Sequence, residues 1–138
     1  MKNEIEKFLQ LSLYTLSHHN STYFIHQLAV DAFAAQTADE KTKPIKIIFA
    51  LVGLYLVIEQ GRSGRDAQLA HMRLAKNKGD WPSITLPAAR GYINVADVLK
   101  TKEGVLRDEK IMDWCKEVWM AYSASHEEIR KLMRERLK

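Results

Sequence analysis

The sequence predicts an all-α protein, a compact helical bundle of four main helices plus one or two shorter ones. Three observations lead there. Apolar residues recur at three- and four-residue spacings along most of the 138-residue chain. Gly, Pro, Ser and Asn punctuate those segments where helix caps and stops belong. No run of strict alternation reads as a strand, and no internal repeat or low-complexity tract breaks the pattern. The length suits a single helical domain over residues 1–138, able to bury about two-thirds of its unfolded surface.

The first helix is expected over 3–17, with Ile5, Phe8, Leu9, Leu13 and Leu16 in one stripe. His18, His19 and Asn20 form a polar break, and Asn20 or Ser21 can cap a second helix over 21–37. Within it, FIHQLAVDAFAAQ (Phe24 to Gln36) is apolar in every direction, the mark of a buried helix. Yet it carries His26, Gln27, Asp31 and Gln36. Inside a core such groups must be hydrogen-bonded, paired or bound to a metal.

Residues 38–43 are polar, and Pro44 suits the first position of a third helix reaching about Gln60. The run Ile45 to Ile58 is 14 residues long and contains Lys46 and Gly53. A bilayer span needs about 20 apolar residues, so this is a core helix and no membrane span is expected. Gly61 stops it. Ser63-Gly64-Arg65-Asp66 resembles a capping box and opens a fourth helix, to about Lys78.

An irregular segment follows around 79–94, holding Pro82, Pro87 and Gly91, with Trp81, Ile84, Leu86 and Ile93 expected to pin it to the core. Long loops of this kind are often functional. Asn94 can cap a short helix over 95–100. A further helix over 107–122 aligns Ile111, Trp114, Cys115, Val118, Trp119 and Tyr122 on one face. Trp114, Trp119 and Tyr122 read as core filling or as a homodimer face. Ser125 and Glu128 suggest a second capping box opening the last helix.

The charge is mildly basic: 21 Lys and Arg against 17 Asp and Glu, formally +4. Lys41, Lys43 and Lys46 cluster, as do Arg62, Arg65, Arg73, Lys76 and Lys78. Such clusters attract phosphates. A mild excess is ordinarily a solvated face, so an accessory nucleic-acid role through the fourth helix is the least favoured reading. The single cysteine, Cys115, excludes an intramolecular disulfide and fits a reducing, cytoplasmic setting. The N-terminal MKNEIEKFLQ lacks the apolar run of a signal peptide.

Helical phase separates the histidines. His71 lies amid Ala67, Ala70, Leu74 and Ala75; His26 shares a sector with Tyr23, Val30 and Phe33; His126 aligns with Ile129 and Met133. His18 and His19 fall in a turn. The candidate pocket is His26, Gln27, Asp31, Gln36, Glu59, Gln68 and His71. His26, His71 and Glu59 are the candidate ligands of a divalent metal, since bundles build such sites from facing helices. No HExxH or ExxH spacing supports it. The competing reading makes each histidine a core residue donating to a carbonyl or carboxylate.

Asp31 lies one turn from Gln27 and can bond it. It could orient a ligating histidine or act as a general base, or simply pair with an arginine. Cys115 behaves as a small hydrophobe unless a base activates it. Arg62 and Arg65, beside the start of the fourth helix, are an anion-binding candidate. Gly61-Arg62-Ser63-Gly64-Arg65 lacks P-loop spacing, however, and a C-cap, turn and N-cap account for it.

Several blocks occur together in one order: FIHQLAVDAFAAQ, KPIKIIFALVGLYLVIE, GRDAQLAHMRLAK, WPSITLP, INVADVL and WCKEVWMAY. Over about residues 12–122 they resemble an uncharacterised bacterial family of small helical proteins, known only as a domain of unknown function. The resemblance implies no activity. It singles out His26, Asp31, Gln36, Glu59, Gly64, Arg65, Gln68 and His71. Many relatives carry a histidine where this chain has Leu28, and some an HH pair where it has Ser125-His126, so His26 and His71 remain the better metal candidates.

The leading functional reading is a small protein with a buried polar pocket for a metal or small ligand. The alternative is a non-catalytic structural or interaction protein whose buried polar residues fix helix register.

Overall fold

The computed structural model describes residues 2–17, 24–77 and 80–136. Asn20, Ser21 and Tyr23, like His18, His19 and Lys78, lie outside the described residues. Helix follows helix: α1 (Lys2–Ser17), α2 (Ile25–Thr37), α3 (Pro44–Leu54), a π-helical turn (Tyr55–Glu59), α4 (Gly64–Ala75), α5 (Val95–Lys100), α6 (Val105–Ala121), a 3-10 turn (Ser123–Ser125) and α7 (His126–Arg136). No strand occurs among the described residues. Nor is any helix there long and apolar enough to cross a membrane.

Helix α2 is the axis of the bundle, packed against α1, α3, α4 and α6. Its alanines explain this. Ala29, Ala32 and Ala35 are wholly buried. With no bulk beyond Cβ they let neighbouring helices approach closely. Large side chains fill the rest of the core: Leu28, Ile48, Leu51, Ile111 and Ile129 are at most 2% exposed. Trp114, Trp119 and Tyr122 are as deeply buried, so the α6 aromatic stripe is core and not a dimer face.

The caps were largely legible. Pro44 occupies the first turn of α3, and Gly61 takes φ +64°, a left-handed conformation that an L side chain strains to adopt. Ser63 and Asp66 form a reciprocal capping box on α4, and Asn94 and Asp97 another on α5. At the end of the chain Ser125 closes a 3-10 turn, and α7 begins at His126. Trp81, Ile84, Leu86 and Ile93 pin the irregular segment to the core.

Two expectations changed. The third helix does not run unbroken to Gln60: five residues form a π turn, with the Gln60 amide bonded to the Tyr55 carbonyl and the Arg62 amide to that of Leu56. And α1 turns a different face inward. Leu11, Tyr14 and Thr15 are buried and Phe8 stacks on Phe33 at 4.3 Å. Ile5, Leu9, Leu13 and Leu16 point outward, 54–70% exposed.

Candidate functional site

Gln27, Asp31 and His71 come together where α2, α3 and α4 meet. Gln27 and Asp31 are one turn apart on α2, and the Gln27 Nε2 donates to Asp31 Oδ1 at 3.1 Å. His71 approaches from α4, its Nε2 3.8 Å from the same carboxylate oxygen. The space is made by Gly53 on α3. A Cβ there would lie 1.8 Å from Asp31 Oδ2 and 3.3 Å from His71 Nε2, so only glycine admits the carboxyl group.

The hydrogen bonds define the state of His71. Its Nε2 lies 2.6 Å from the Phe49 carbonyl, which can only accept, so Nε2 carries the proton. Nδ1 is then the acceptor and faces Gln27 Nε2 at 3.5 Å. The Phe49 ring stacks on the imidazole, centroids 5.3 Å apart. Burial lowers the His71 pKa, opposed by the Phe49 carbonyl. Burial also raises that of Asp31 well above the ordinary carboxylate range, opposed by Gln27. Both groups are thereby biased to their neutral forms.

The other candidates sit elsewhere. His26, adjacent to Gln27 in sequence, points about 100° away around α2. It faces α1, where its Nδ1 is 2.9 Å from Thr15 Oγ1, and burial lowers its pKa. Glu59 faces α7, not α4: Arg130 Nε donates to it at 3.1 Å and His126 Nδ1 lies 4.0 Å away. The Arg130 hydrogen bond holds its pKa below the usual value. The expected metal set is therefore not assembled. Among the described residues no group of three or more His, Cys, Asp or Glu could hold a metal ion.

Gln68 receives Arg65 on the outer side of α4. Arg62 and Arg65 flank the start of α4, where the Asp66 carboxylate accepts from the Ser63 amide at 3.2 Å. His126 is buried, stacks on Trp119 at 3.8 Å and donates to the Trp119 carbonyl. Cys115 bonds the Leu28 carbonyl at 3.4 Å, and burial pushes its thiol pKa far up, away from a reactive thiolate.

Gln36 belongs to a second polar cluster at the C-terminal end of α2. Its amide donates to the Ile93 carbonyl at 2.7 Å and the Arg90 carbonyl at 3.2 Å, while its Oε1 accepts from Trp114 Nε1 at 2.9 Å. Arg90 caps the helix, donating to the carbonyls of Gln36 and Ala38. Glu117 on α6 holds the amides of Tyr92 and Ile93 at 2.7 and 2.9 Å. Sequence reasoning found Gln36 but missed Arg90 and Glu117, whose partners lie far along the chain. Gly91 was the available signal: its φ is +90°, and a Cβ would lie 2.9 Å from that of Glu117.

No curated protein and no solved structure matches the chain. A family model does, over residues 5–123, most of its length. The chain belongs to the family of unknown function DUF5946.

Proposed function

We propose that this protein is an interaction module that pairs with a second copy through α1, its buried polar residues serving to fix the register of the helices behind that surface. One observation carries the reading: α1 is apolar on two opposite faces. Leu11 and Tyr14 enter the core, while Ile5, Leu9, Leu13 and Leu16 stand 54–70% exposed at 4-4-3 spacing. An exposed apolar stripe on a helix whose opposite face already packs into the core marks an interaction surface.

Charge selects the partner and its direction. Glu6 borders the stripe in the N-terminal half of α1, whereas Ser12 and Ser17 border it in the C-terminal half. Antiparallel pairing of two copies sets each Glu6 against the uncharged half of its partner and opposes the helix dipoles. Parallel pairing would set Glu6 against Glu6. The stripe is about 16 Å long, which gives a smaller contact than the ~800 Å² per partner of standard interfaces. A concentration-dependent dimer is the expected form.

The buried cluster supports the structural half of the reading. His71 is tied through both ring nitrogens to Phe49 and Gln27, and Asp31 is held by Gln27 in the notch at Gly53. Sedimentation velocity across a concentration series tests the proposal. The wild type should shift from monomer to dimer, and Leu9→Glu/Leu13→Glu should remain monomeric with an unchanged circular dichroism spectrum. A wild type that stays monomeric to millimolar concentration overturns it, as does a variant that dimerises equally.

A further inference from the structure

A cleft of about 460 Å³ opens between the π turn, α4 and α7. Its volume falls in the range of small-molecule sites, roughly 300–1,000 Å³. Three arginines line it, Arg62 before α4, Arg73 on α4 and Arg134 on α7, beside the apolar side chains of Leu56, Leu69 and Met133. Asp66 is the carboxylate of the lining, and it is already engaged by the Ser63 amide and hydroxyl. Among the described residues no carboxylate lies within ion-pair distance of Arg62 or Arg134.

We infer that this cleft binds an organic anion: a phosphate or carboxylate head taken by Arg62 and Arg134, with an apolar body laid against Leu56, Leu69 and Met133. Arg62 and Arg134 bring like charges to the cleft from the loop before α4 and from α7, and an anion between them offsets both. Guanidinium forks match phosphate and carboxylate oxygens in pairs. The apolar wall adds what inorganic phosphate cannot use. The π turn shapes this wall, since Leu56 belongs to it, and π turns recur at functional sites. This site is separate from the α1 face and does not depend on dimerisation.

Isothermal titration with three probes tests it. Octyl phosphate should bind saturably, at least about tenfold more tightly than inorganic phosphate or the neutral octyl glucoside, and should weaken as salt is added. Arg62→Gln/Arg134→Gln, changing two solvent-facing side chains, should weaken octyl phosphate at least about tenfold while its melting temperature stays unchanged. Amide NMR shifts on titration should centre on Leu69 and Met133. The inference is overturned if octyl phosphate does not bind, if inorganic phosphate or octyl glucoside binds as tightly, or if the double variant binds like the wild type.

Discussion

The two halves of α2 bury polar residues by opposite means. In its N-terminal half the cluster is built from titratable groups, Asp31 and His71, bridged by the Gln27 amide and admitted by a missing side chain at Gly53. At its C-terminal end Arg90 and the Tyr122 hydroxyl satisfy backbone carbonyls that the helix end leaves open, while Gln36, held by the Trp114 indole, bonds the carbonyls of Arg90 and Ile93. The first couples the helix packing to protons. The second couples it to the irregular segment 80–94 and is indifferent to mild pH change, because arginine keeps its charge.

The largest effect should come from closing the notch. Gly53→Ala is expected to lower stability by about 3 kcal/mol, because its Cβ overlaps the Asp31 carboxyl in a packed core. Urea melts would measure this. Adding Asp31→Ala should return more than about 1 kcal/mol, and a purely additive pair would mean the two residues do not meet.

Arg90→Ala comes next, at about 2 kcal/mol, since it strips donors from partly buried carbonyls of α2. Its cost should be the same at pH 5.5 and pH 8. A cost that varies strongly between those values would mean that a group of the second cluster titrates between them, and would erase the contrast.

A smaller, pH-dependent effect is expected at Asp31. Its folded pKa is raised, so the folded state holds the proton more tightly. The resulting stability is complete below about pH 3.9 and is lost as pH rises through the folded value. Asp31→Asn removes this loss, so its stability relative to wild type should climb with pH from about pH 4 upward. A constant offset in melts across pH would refute the assignment.

The histidines give the smallest, opposite slope. Their folded pKa values are lowered, so stability is complete above about pH 6.5 and falls as pH drops toward the folded values. His71→Asn should flatten that acid limb without removing it, because His26 contributes the rest.

Much of this was legible in the sequence. Helix boundaries followed from Pro44, Gly61, Ser63 and Asn94, and helical phase brought His71 to Gln27 and Asp31. What failed did so for identifiable reasons. Glu59 was assigned to the buried site as a carboxylate at the end of an otherwise apolar helix, but it closes a π turn and meets Arg130 of α7 instead. Helix α1 has two apolar faces, so periodicity alone could not say which one is inward. His26 and His71 looked like partners because both lie on apolar sectors, yet one position on a helix separates the direction of His26 from that of Gln27. Arg90 and Glu117 act across long sequence separations that no local pattern encodes.

In the proposed dimer α1 pairs with α1 in antiparallel register, which sets Leu9 of one copy opposite Leu13 of the other. Cysteine cross-linking reads this directly, because Cys115 is fully buried and will not compete. An equimolar mixture of Leu9→Cys and Leu13→Cys chains, oxidised mildly, should give a mixed disulfide dimer, with little cross-linking of either chain alone. Equal cross-linking of each chain with itself, or no dimer at any concentration, would rule out antiparallel pairing through α1.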